Sequence, residues 1–168
     1  MDQLNLIYPN GKMNINLDTF LDSCGVMKFR KLLKIIKMTA EPQKHIDSLT
    51  AFINDFLSIS DELVDSNVLL AKNTKVSIND KEEQLKNLIH KRNIVKQQMK
   101  KILTYTTYRS QEYKLTKESE EELKTEIKKV RDQLVIERVK YRGYVDDVKR
   151  YTRNYKNYCK YLELLKEV

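Results

Sequence analysis

The chain has little to break a helix with. Its 168 residues include three glycines and two prolines. That scarcity, with charged residues at 33%, is the profile of long helices with charged flanks. The three glycines are isolated, which excludes a glycine-rich phosphate loop. Two cysteines, Cys24 and Cys159, have no partner spacing. They exclude a disulfide framework and suggest free thiols in a reducing compartment, so a cytoplasmic location is expected. Two histidines, His45 and His90, belong to no HExxH pattern. No motif gathers the several ligands a metal needs, so no metal and no cofactor are expected. Runs of about 18 apolar residues are also missing, so nothing is expected to span a membrane. No signal peptide is expected, because Met1–Leu6 carries an acid and no long apolar run.

What is present is a seven-residue rhythm near the C-terminus. One series is Ile127, Leu134, Tyr141, Val148, Tyr155 and Leu162. The other is Val130, Glu137, Tyr144, Tyr151, Tyr158 and Leu165, with Glu137 its polar intruder. Sustained 3-4 spacing means a helix that packs along another helix.

Upstream, Leu4, Leu6, Tyr8 and then Met13, Ile15, Leu17 flank Pro9-Asn10-Gly11. This predicts a β-hairpin in which proline sets the first turn angle and Gly11 takes a positive φ. A lone hairpin needs a helix over its apolar face. Asp18 or Thr19 should cap a short helical turn that Gly25 ends. Val26–Met38 then predicts a helix with Met27, Phe29, Leu32, Leu33 and Ile36 on one side and Lys28, Arg30, Lys31, Lys34 and Lys37 over much of the rest. Pro42, after Thr39 as cap, opens a weaker stripe with gaps at Ser60 and Asn67. Residues 72–79 are rich in Asn, Thr and Ser and read as a turn; the alternative is that the helix continues through, because Ile78 nearly keeps the stripe. The next helix carries Leu85, Leu88, Val95, Met99 and Ile102, with Arg92 in a core-like slot. Thr104–Tyr108 marks a bend, 113–118 a connection, and Ser119 with Glu122 a capping box.

The expected fold is mainly α: an elongated antiparallel helical bundle or coiled coil with a small N-terminal β-hairpin plus helix module. Residues 1–40 form the hairpin and basic amphipathic helix. Residues 41–168 form the bundle, with helices at about 42–71, 80–112 and 119–167. Three such helices run up, down and up. The last exceeds its neighbour by roughly 16 residues, about 24 Å at 1.5 Å per residue. That overhang, opposite the hairpin, would leave the tyrosine stripe without cover inside the chain. Exposed patches of that kind mark a partner, another protein or a second copy of the chain.

No convergent polar site suggests an enzyme. Cys24 lacks a neighbouring base and reads as a buried small residue. Asp146–Asp147 and Glu120–Glu122 read as solvated faces. Lys and Arg outnumber Asp and Glu by 32 to 24, a net charge of +8 that draws polyanions. Between Arg138 and Tyr161, cations and tyrosines interleave. The cations Arg138, Arg142, Lys149, Arg150, Arg153, Lys156 and Lys160, with Lys28, Arg30, Lys31, Lys34 and Lys37, are candidates for phosphate contact. Tyr144, Tyr151, Tyr155, Tyr158 and Tyr161 are candidates for partner contact; most fall in the heptad series and so favour packing over base stacking. The resulting expectation is a non-enzymatic interaction protein whose basic, tyrosine-rich face binds a protein or nucleoprotein. Direct DNA or RNA binding is the alternative. A membrane-surface role through Val26–Met38 ranks last. The composition would suit a small accessory or inhibitor protein of a phage or mobile element.

Overall fold

In the computed structural model, which describes residues 3–168, the chain is mainly α with one antiparallel hairpin. Strands β1 (Gln3–Tyr8) and β2 (Gly11–Asn16) are followed by helices α1 (Leu17–Ser23), α2 (Gly25–Lys37), α3 (Pro42–Ile102) and α4 (Gln111–Lys166). The chain divides into two compact units: residues 1–67 with 146–168, and residues 68–145.

The hairpin has the register that its alternation predicts. Leu4 pairs with Ile15 and Leu6 with Met13, while Tyr8 opposite Gly11 leaves Pro9-Asn10 as the turn. Gly11 does not take a positive φ; among the described residues only Gly25 does, at φ 68°, between α1 and α2. Asn16, rather than Asp18 or Thr19, caps α1: its Oδ1 accepts from the Thr19 backbone N–H at 3.2 Å. Thr39 does not cap α3, since its hydroxyl donates back to the Ile36 carbonyl at 2.6 Å.

Gly25 and Gly143 make a matched pair of tests. A Cβ at either would meet no atom within 4 Å. At Gly25 only backbone strain remains, so Gly25→Ala should destabilise the first unit by about 1–2 kcal/mol. Gly143 lies in an exposed helix interior, so Gly143→Ala should stabilise by up to about 1 kcal/mol. Urea midpoints moving in opposite directions would be the signature.

There are two long helices, not three. The turn expected at 72–79 is absent: Asn73, Thr74, Ser77 and Asn79 all lie within α3. Such residues cost a few tenths of a kcal/mol each, but α3 has no glycine and no proline after Pro42. Ile78, 3% exposed, holds the apolar stripe through the segment. The connection between the long helices is Leu103–Ser110, taking in the predicted bend rather than 113–118. Ser110 is the N-cap of α4, with its Oγ accepting from the Tyr113 N–H at 3.2 Å. Ser119 sits inside the helix and its hydroxyl donates to the Leu115 carbonyl. With α3 at 61 residues and α4 at 56, the overhang is gone.

The second unit is an antiparallel pair of helix segments. Contacts join Arg92 to Glu120, Lys81 to Glu137 and Lys75 to Tyr141, so one number rises as the other falls. Its core is Ile78, Leu88, Ile127, Val130 and Leu134. Arg92 does occupy a seam slot. Glu120, expected in a solvated face, is buried at 7% exposure, because it too falls in the seam three residues before Leu123 and meets Arg92 at 2.8 Å.

In the first unit the hairpin, α1 and α2 close over the start of α3 and the end of α4. Leu4, Leu6, Leu17, Leu21, Phe29, Ile36, Leu49, Ile53, Tyr158 and Tyr161 form its core. Tyr158 and Tyr161 of the tyrosine stripe are therefore covered within the chain, by the module expected at the opposite end.

Candidate anion-binding interface

Which side of α4 faces the core decides what remains for a partner. Tyr151, Asn154, Tyr158, Tyr161 and Leu165 follow a 3-4-3-4 spacing and turn inward. Tyr158 and Tyr161 are 1% and 0% exposed. Tyr161 stacks on Phe29 with ring centroids 4.4 Å apart, and Tyr158 tilts against Phe56 at 4.5 Å. Neither can meet a partner. Tyr144 and Tyr151 are half-buried, and Tyr155 is exposed, since Asn154 takes the seam slot that the heptad count gave to Tyr155. The register slips because the seam inserts one extra three-residue step after Tyr151.

Cys24 donates its thiol to the Tyr161 hydroxyl at 3.3 Å. Burial pushes that thiol above its ordinary value, which favours its neutral form. Burial likewise pushes the Tyr158 and Tyr161 hydroxyls well above 10.0, with the Asp18 and Asp22 carboxylates adding at Tyr158. Raised folded-state values mean the fold prefers the protonated phenols. Their contribution to stability is complete below 10.0, the unfolded value, and is lost as pH rises above it. Helicity of the first unit should therefore fall in an alkaline titration followed by circular dichroism, and Tyr158→Phe with Tyr161→Phe should flatten that limb.

The solvent side of the same helix carries Lys149, Arg153, Lys156 and Lys160. Their 4-3-4 spacing stacks them along one line, where with Val148, Thr152 and Asn157 they border a shallow groove. All four are exposed. Among the described residues none has an acid within salt-bridge distance. From Lys149 to Lys160 the stripe is about 16 Å long at 1.5 Å per residue.

The other predicted cations are distributed differently. Arg142, in the second unit, is exposed and, among the described residues, unpaired. Arg138 is bound by Glu82 at 3.0 Å. Arg150 faces away from the stripe, bonded to the Tyr151 hydroxyl at 3.2 Å and paired with Asp147 at 3.5 Å. Lys28, Arg30, Lys31, Lys34 and Lys37 are all exposed on α2 and, among the described residues, unpaired. The apolar side of α2 is another matter. Phe29, Leu32, Leu33 and Ile36 are in the core, whereas Met27 is exposed. No described helix is long and apolar enough to cross a membrane.

Among the described residues no group of three His, Cys, Asp or Glu side chains is placed to hold a metal. His45 is half-buried and His90 exposed. No protein family matches this sequence, and no curated protein or solved structure matches the chain. The side chains themselves carry the functional argument.

The sequence reading missed Asn154, Asp18 and Asp22. The signal for Asn154 was available: an amide at the 151-154-158-161-165 spacing has to lie in a packed seam, where a polar group needs a partner.

Proposed function

We propose that the protein is a non-enzymatic interaction protein that holds the phosphate backbone of a nucleic acid, bare or within a nucleoprotein, along the solvent side of α4. One observation carries this reading: four exposed cations, Lys149, Arg153, Lys156 and Lys160, share one line of one helix, and among the described residues none has an acid within salt-bridge distance. Duplex DNA carries a charge about every 1.7 Å of axis, so a stripe of this length always has several phosphates within reach. The tyrosines that would have stacked on bases are on the opposite side of the helix. The contact therefore rests on charge, and affinity should not depend on base sequence.

Fluorescence anisotropy with a labelled duplex tests the reading. Four phosphate contacts give a slope of log affinity on log salt of about −3.6, hence roughly a 10²-fold loss between about 50 mM and 200 mM salt. Substituting glutamine at Lys149, Arg153, Lys156 and Lys160 together preserves helix propensity and should abolish most of this binding and its salt dependence. Unchanged binding by the quadruple variant, or none by the native chain at about 50 mM salt, overturns the proposal. Glutamine at Lys28, Lys31, Lys34 and Lys37 of α2, which also removes four exposed charges, serves as the charge-matched control.

A further inference from the structure

Among the described residues the sheet of the first unit has two strands, so one edge of β2 has no strand beside it. The two-residue turn closes on the Tyr8–Gly11 pair, which is hydrogen-bonded, and pairs then alternate along the ladder. Leu6 with Met13 and Leu4 with Ile15 bond to each other. Lys12 and Asn14 therefore turn their N–H and C=O groups outward. Both residues are exposed, and among the described residues neither bonds to a backbone group beyond the hairpin.

Beside that edge lies an open groove of about 230 Å³. Met13 and Ile15 of β2, Phe20 of α1, and Leu32 and Ile35 of α2 line it. Among the described residues no side chain of β1 does, so the groove belongs to the outer side of β2. The other two lining residues are Lys28 and Lys31 of α2. Both are exposed and, among the described residues, unpaired.

Edge, groove and cations together specify one kind of occupant. A row of free N–H and C=O groups pairs with another extended strand. Side chains alternate across a strand, so every second one of an added strand would share the side of Met13 and Ile15, over the groove. That side is apolar with cations at its rim, which calls for apolar residues flanked by Asp or Glu. A second copy presenting its own β2 lacks the charge, because Gly11–Asn16 carries Lys12 and no acid. A fatty acid would meet the groove and the lysines but leave the edge unpaired.

We infer that β2 accepts a third strand from another protein, an extended segment whose groove-facing side chains are apolar and flanked by acids. This does not rest on the proposed phosphate contact, which uses α4 and none of these residues.

Fluorescence anisotropy of the full chain with the labelled peptide acetyl-Glu-Thr-Ile-Thr-Ile-Thr-Glu-amide tests the inference. In a strand its isoleucines and glutamates share one side. Saturable binding is expected, weakened roughly tenfold in Lys28→Glu with Lys31→Glu by charge reversal at the rim. Both lysines are exposed, so that variant folds. Asn14→Pro removes an outward donor and no bond to β1, and should also lose binding with circular dichroism unchanged. Absence of peptide binding overturns the inference, as does binding unchanged in both variants. Equally tight binding of the peptide with lysine in place of its glutamates overturns it too, as does binding of decanoate in place of the peptide.

Discussion

Replacing Tyr161 by alanine should remove roughly 3–5 kcal/mol from the first unit, the range for truncating a fully buried aromatic. Tyr155→Ala, six residues away in the same helix and equally aromatic, should stay within about 0.5 kcal/mol, as exposed positions do. The contrast follows from place alone. Tyr161 is 0% exposed, stacks on Phe29 and accepts from Cys24, whereas Tyr155 is 43% exposed. A domain's entire stability is about 5–15 kcal/mol, so Tyr161→Ala would remove a large share of it. Urea melts followed by circular dichroism measure both variants, and Tyr161→Phe separates the parts. Keeping the ring and losing the hydroxyl should cost about 1 kcal/mol. Equal losses for Tyr161→Ala and Tyr155→Ala would mean that the side of α4 assigned to the core is wrong, and with it the side assigned to solvent.

That assignment was only half legible in the sequence. The heptad rhythm established that the last helix had a seam, and Ile127, Val130 and Leu134 are in it as expected. A rhythm reports that a helix needs a companion and says nothing of which one. The hairpin was readable because Leu4, Leu6 and Ile15 alternate with polar neighbours, and a period of two has few other solutions. The continuity of α3 was not readable. Asn67, Thr74 and Lys81 occupy seam positions, and polar residues at such spacing look the same as a turn. What distinguishes them is tertiary: Lys81 finds Glu137 and Lys75 lies over Tyr141, partners that the local window does not contain. From that one misplaced turn followed the third helix, the overhang and the uncovered tyrosines. The cations fared better, since a lysine on the solvent side of an amphipathic helix is placed by the apolar residues opposite it.

The polar seam residues of the second unit lead to the other large expected effect. Arg92 and Glu120 meet at 2.8 Å with side chains 25% and 10% exposed. Glu120→Ala strands the Arg92 guanidinium in a largely desolvated seam. Fully buried pairs lose about 3–5 kcal/mol when one member is removed. With Arg92 a quarter exposed, roughly 2–3 kcal/mol is expected here. Glu137→Ala should cost far less, about 1 kcal/mol at most, because the Lys81–Glu137 pair is longer at 3.5 Å and both side chains are more than a fifth exposed. Joint replacement of Arg92 by methionine and Glu120 by leucine should return most of the loss, since apolar residues of similar volume fill such a seam at least as well as the ions do. A double-mutant cycle in urea measures the coupling directly. Recovery in the double variant would mean that the pair adds little net stability and acts through register: a slip by one heptad would set Arg92 and Glu120 against apolar neighbours and leave both charges desolvated. A double variant as unstable as Glu120→Ala alone would contradict this, and would place the value of the two residues in the bond itself.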